Sequence, residues 1–241
     1  MGLTGNRVGI MQPYLLPHIS YFQLISTCDV FCLQDKVKYT KQSWINRNRL
    51  DSEVPQRYFT LPLQRSSDFD SIDQKLISHS YDSKKILQVL KNKYRQAPNF
   101  EDTFPILENV FNCETQNLFE FLKNSINTIC RELHIETPLI NRSDIEISSF
   151  SSAEEMVINI CKALDAEIYL NSIGGTKLYT HSKFESEGIA LQFLELSTFS
   201  YLNSRGMTDS GLSIVDALMW ADRAALIEDI KMGAKFVKGR S

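Results

Sequence analysis

Apolar positions along the chain follow two rhythms, and their alternation predicts the fold. Val8, Gly9, Ile10 and Met11 form a short unbroken run before Pro13 and Pro17, which can neither donate to a sheet ladder nor continue a helix interior. Tyr21, Phe22, Leu24 and Ile25 then give an apolar stripe at helical spacing, and Val30, Phe31, Cys32 and Leu33 form a second run. Strand, helix and strand in that order predict a parallel α/β sheet. Ligands of such sheets bind beyond the carboxyl ends of the strands, where Gln12, His18 and Asp35 would sit.

The middle of the chain reads as helical. Ile86, Leu87, Leu90 and Tyr94 predict a helix over 84–94, Pro98 ends it, and 104–112 forms another. Leu118, Phe121, Leu122, Ile126, Ile129, Cys130 and Leu133 trace one face of a longer helix, with His134 suited to the negative end of its dipole. The α/β pattern then returns. Ser152 and Glu155 make a capping-box start for a helix carrying Met156, Val157, Ile160, Cys161 and Leu164. A strand over 167–170, a helix over 183–187 and a strand over 190–196 follow, and Ser213 caps a last helix that runs through Leu226. The reading is a Rossmann-like parallel sheet built from 1–80 and 145–241, with 81–144 as a helical insertion packed on it.

Composition narrows the function. The chain has 241 residues, 43% of them hydrophobic and 23% charged, with a formal charge of −3, so it can bury a substantial core. No apolar run approaches the ~20 residues that cross a bilayer, and the N-terminus does not read as a secretory signal, so a cytoplasmic protein is expected. Cys28, Cys32, Cys113, Cys130 and Cys161 are scattered without CxxC pairs, and neither disulfides nor zinc or another metal is expected. The acidic balance and the lack of a long basic stripe argue against general nucleic-acid binding. No GxSxG, HExxH, Walker or GxGxxG motif is present.

Charge is distributed unevenly. Between positions 35 and 57 lie Lys36, Lys38, Lys41, Arg47, Arg49 and Arg57 against Asp35, Asp51 and Glu53. Arginine forks and lysine ammonium groups beside a strand end suit an anionic ligand, Trp44 offers a stacking face, and Asn46 and Asn48 can orient a substrate. A solvated loop that keeps the protein soluble would show the same charges. Asn171, Gly174 and Gly175 follow the strand at 167–170, where paired glycines allow a tight turn and close approach to a ligand, or simply an ordinary turn.

Two resemblances follow from these strings. PHISY at 17–21 is similar to the HxGH turn of the nucleotidylyltransferase and HIGH-type superfamily, which binds the phosphates of ATP. His18 matches the first histidine, Ser20 stands where glycine is usual, and Tyr21 replaces the second histidine. A serine-rich segment opening a late helix contacts phosphates there, and Ser213 in SGLSI resembles it. The strings IMQPYLLPHISYFQLI, DVFCLQDKVKYTKQSWINRNRL, KYRQAPNF, YLNSIGG and GLSIVDALM, in that order, resemble the WbqC-like family. Departures are His18 and Ser20, where tyrosine and glycine are expected, and Gln34 before Asp35, where an acidic residue is common.

The second resemblance implies a protein encoded among O-antigen or other surface polysaccharide genes, for which a glycine or aminoacyl transferase acting on an amino sugar has been suggested. The expected partners are therefore a nucleotide-linked amino sugar or similar anionic small molecule and an aminoacyl donor, with ATP the candidate for activating it. On this reading His18 or Asp35 takes a proton from the attacking amine, and Gln12, Pro13, Tyr21, Gln23, Lys41, Trp44, Asn46, Arg47, Asn48, Arg49, Asn171, Gly174, Gly175 and Ser213 bind substrate or anion. The alternatives are a non-catalytic scaffold with a degenerate nucleotide site and, third, a nucleotidylyltransferase.

Overall fold

A computed structural model describes residues 5–50, 58–195, 199–204 and 211–238. Its sheet has six strands, β1 (Arg7–Met11), β2 (Val30–Leu33), β5 (Leu139–Asn141), β6 (Ile168–Ser172), β7 (Ala190–Glu195) and β8 (Lys235–Val237), in the order β5-β2-β1-β6-β7-β8. The first five are mutually parallel and β8 runs antiparallel to β7. A separate two-stranded hairpin, β3 (Arg47–Arg49) with β4 (Tyr58–Thr60), leaves the main sheet after β2. The architecture is a Rossmann-like α/β fold.

Period-two side-chain alternation sorts the sheet residues onto two faces. Phe31, Leu33, Ile168, Leu170 and Leu194 pack into one apolar cluster with α1 (Ile19–Thr27), α2 (Ser83–Tyr94), α3 (Phe100–Phe111), α4 (Leu118–Glu132), α8 (Ile214–Trp220) and α9 (Arg223–Met232). Val8, Ile10, Cys32, Tyr169, Leu191 and Phe193 point the other way, toward α5 (Ala153–Ala163) and α6 (His181–Ser186). There Phe184 of α6 stacks on Tyr169 at 5.4 Å. Because the chain grows outward from β1 to β2 and β5 and then crosses back to β6, the strand order reverses between β1 and β6. That reversal opens a crevice at their carboxyl ends.

Three expectations are corrected. The helix expected from 104 begins a turn earlier, at Phe100, and carries Pro105 inside it. Tertiary ties outweigh the proline: Asn99 Nδ2 donates to the Leu218 and Ala221 carbonyls, Thr103 Oγ1 donates to Leu218, and Phe100 stacks on Phe104 at 4.9 Å. The last helix is two, because Asp222 leaves helical conformation and accepts the Ala225 amide as a new N-cap. His181, whose polar neighbours Thr180, Ser182 and Lys183 predict exposure, is half-buried against Phe193. His134 does lie just past the end of α4, in left-handed conformation at φ +52°.

Candidate functional site

The crevice between β1 and β6 is a cleft of about 410 Å³, lined by Ile10, Met11 and Gln12 of β1 and its end, Gln34 and Val37 after β2, Ala153, Met156 and Val157 of α5, Asn171 and Ser172 at the end of β6, Gly174 and Gly175 after it, and Leu178 and Tyr179. Gln12, Asn171, Gly174 and Gly175 therefore meet at one site, as the sequence places them. None of the lining residues is charged.

Local chemistry builds each wall. Ser152 caps α5 by accepting the Glu155 amide at 3.1 Å, while the Glu155 carboxylate accepts from Ser151 rather than closing back on Ser152. Glu154 ties the start of α5 to the next wall through the Thr180 amide and the Lys183 ammonium. Burial opposes the Glu154 charge, but those hydrogen bonds prevail and hold its carboxyl below the ordinary range. Gly175 is required here, since a Cβ would lie 2.8 Å from Asn171 Nδ2. The Asn171 side chain is engaged twice, accepting the Ser172 amide at 2.7 Å and donating to the Tyr169 hydroxyl at 3.0 Å. Tyr169 in turn donates to Tyr179 at 3.1 Å, and burial pushes both phenols up.

Gln34 is the residue that sequence reasoning missed as a site residue. It is 4% exposed, lines the cleft, and its Oε1 has no hydrogen-bond partner among the described residues. A polar residue directly ending the apolar run of β2 was the available signal.

The first turn has a second side that faces away from this cleft's lining. His18 caps α1: its Nδ1 accepts the Ser20 amide at 3.2 Å and lies 2.9 Å from Ser20 Oγ. An amide can only donate, so Nδ1 is the acceptor and the neutral ring carries its proton on Nε2. Tyr21, at the place of the second histidine, is buried, donates to the Gln12 carbonyl at 3.3 Å and packs edge-on against Tyr14. Pro13 is also buried, and Gln23 is buried against α9, donating to the Asp229 carbonyl at 3.1 Å.

Asn48 and Ser213 close on the same turn. Asn48 Nδ2 donates to the Leu15 and Leu16 carbonyls, both at 2.9 Å, and Ser213 Oγ donates to the Leu16 carbonyl at 2.7 Å while accepting the Val215 amide. Arg49 reaches the Gly211 carbonyl through Nε and a terminal nitrogen, with its guanidinium 5.2 Å from the Trp44 ring. Asn46 is bonded to the Tyr39 hydroxyl and the Leu61 carbonyl. Arg47 lies over Tyr58 and donates to the Gln42 carbonyl, and Lys41 pairs with Asp68 at 2.6 Å on the surface. Arg57, Asp51 and Glu53 of the charge count lie outside the described residues.

Asp35 is 2% exposed and accepts the Ser143 amide at 3.0 Å; it follows Gln34 in the chain without lining the cleft. The structure thus gives the sequence-derived residues two settings that share the first turn. One is the uncharged cleft, and the other is the Arg49, Trp44 and Ser213 side, where Asn48 and Ser213 hold the turn and the remaining polar groups bond to other parts of the fold. Among the described residues, no three of His, Cys, Asp and Glu gather as a metal would need, and no helix is long and apolar enough to cross a membrane.

Comparison with known proteins agrees with the strings quoted above. The chain is similar to the uncharacterized protein Rv1507c of Mycobacterium tuberculosis, 27% identical over 216 residues that cover 88% of this chain and 93% of the relative. No solved structure matches. The profile of the WbqC-like protein family matches residues 12–228, and the chain belongs to that family.

Proposed function

We propose that the protein is a transferase that places an acyl or aminoacyl group, glycine among the candidates, on the amine of a nucleotide-linked amino sugar during O-antigen or other surface polysaccharide synthesis. The observation that carries the reading is the cleft at the β1/β6 reversal, lined by apolar side chains and by polar groups from three strand ends. Clefts of this kind hold small polar ligands in α/β proteins. In this reading the cleft holds part of the acceptor. Asp35, with one carboxylate oxygen on Ser143, takes the proton from the attacking amine, while His18, its Nδ1 taken up by the Ser20 amide, holds the first turn. Arg47, Arg49 and Lys41 are the cations proposed for phosphate or carboxylate, and an acid activated by ATP, or a carrier already bearing the acyl group, donates the acyl to the amine as its AMP, phosphate or carrier departs.

Intact-mass comparison of nucleotide-linked amino sugars before and after incubation with the protein, ATP and mixed amino acids tests this. A mass gain equal to one acyl or aminoacyl group is expected, and no change from any sugar would refute it.

A second reading, a binding or scaffold protein with a degenerate nucleotide site, draws on Tyr21, whose burial in place of a catalytic histidine removes a phosphate contact. Arg47→Ala separates the two, since an enzyme loses turnover while staying folded and a scaffold does not.

A further inference from the structure

The uncharged character of the cleft deepens the proposed function and rests on it. A site built for phosphate presents cations or converging amides, yet the lining holds no Lys, Arg or His. It holds instead an apolar set, Val37, Met156, Val157 and Leu178, and a few hydrogen-bonding groups.

Two of those groups are unfinished. Gln34, 96% buried, keeps its Oε1 without a partner among the described residues, a costly arrangement unless a ligand supplies a donor. The second is Tyr179. Asn171 donates to Tyr169 and Tyr169 donates to Tyr179, so the Tyr179 hydroxyl has its oxygen occupied and its own proton left over. That proton finds no acceptor among the described residues. Tyr179 is locked edge-on against Tyr169 at 5.4 Å and Phe184 at 5.7 Å, which fixes where the hydroxyl sits. Among the hydrogen-bonding groups of the lining, the Gln34 oxygen and the Tyr179 hydroxyl proton are thus an acceptor and a donor left over beside apolar side chains.

We infer that this cleft binds the nucleobase of the nucleotide-linked substrate, with Gln34 Oε1 accepting a ring or exocyclic N–H and the Tyr179 hydroxyl donating to the adjacent ring acceptor. A nucleobase is uncharged, planar and apolar on its faces, and carries donor and acceptor side by side on one edge. Uracil and adenine both satisfy that description, and the phosphates lie outside the cleft.

Titration calorimetry with the nucleosides uridine and adenosine, which lack phosphate, tests the inference on the full chain. Saturable binding of at least one is expected, with less than a twofold change between 50 and 500 mM salt, roughly because no ion pair is involved. N-methylation at the donor (3-methyluridine or N6,N6-dimethyladenosine) should weaken it about tenfold or more. Gln34→Leu should do the same. Gly174→Leu should abolish binding without disturbing the fold, since a Cβ there meets nothing nearer than Ser172 Oγ at 3.9 Å. Thermal melting identifies any variant that fails to fold. No binding of either nucleoside to folded protein, or binding that Gly174→Leu leaves unchanged, would overturn the inference. Acyl transfer without nucleoside binding would remove the nucleobase assignment and leave the transferase standing; nucleoside binding without transfer would do the reverse.

Discussion

Asn48 holds Leu16 in left-handed conformation: the asparagine Nδ2 donates to the Leu16 carbonyl at 2.9 Å, at a residue whose φ is +42°. A branched side chain at such a φ is strained, and it persists where the surroundings over-determine it. Ser213 supplies the second bond to the same carbonyl. Asn48→Ala removes the side-chain donor of the Leu15 carbonyl and leaves the Leu16 carbonyl with Ser213 alone, and should cost about 1–3 kcal/mol of unfolding free energy. Urea unfolding measures it, and a midpoint equal to the parent's would show that the turn holds itself.

This turn also shows how far the sequence could be read. The strands at 8–11, 30–33 and 190–195 and the helices at 84–94 and 118–132 were legible because local period and burial agree in them. The hairpin of β3 and β4 was not, since RNR carries no apolar run and its pairing with Tyr58, Phe59 and Thr60 is set by tertiary contacts. Asn46 and Asn48 read as ligand-orienting residues, but both are buried with their side chains bonded to the fold. A polar side chain's target cannot be read from its spacing. Gln34 was passed over for the same reason, because only the packed structure shows that its Oε1 lacks a partner.

Gln34→Leu should separate stability from function. Replacing a carboxamide whose oxygen is buried and unpartnered with an apolar group of similar size is neutral or stabilising, so the melting temperature should hold or rise while ligand binding falls. A clear drop in melting temperature would mean that Gln34 is satisfied within the fold.

The carboxyl of Glu154, held low by Lys183 and Thr180, makes stability pH-dependent in a defined direction. Its contribution is complete above the unfolded glutamate value of about 4.3 and is lost as pH falls through the lower folded value. Melting temperature should therefore decline below about pH 4.5, and more steeply for the parent than for Glu154→Gln. Parallel curves would assign the acid sensitivity to other carboxylates.

Cys28, Cys32, Cys130 and Cys161 are buried, and burial pushes all four thiols up, Cys32 and Cys130 to about 12. Only the thiolate alkylates. Iodoacetamide on native protein should label Cys113, the half-buried one, before the others, with full labelling after denaturation. Peptide mapping that finds early modification of Cys32 would show that the sheet opens readily.

On the proposed function, the cleft at the β1/β6 reversal holds the substrate that is modified. The direct measurement is the intact mass of nucleotide-linked amino sugars, with uridine and adenosine carriers among them, incubated with ATP, mixed amino acids and either the parent protein or folded Gly174→Leu. An acyl or aminoacyl mass gain is expected with the parent and none with the variant. Equal gain from both, or no gain from the parent, would contradict it.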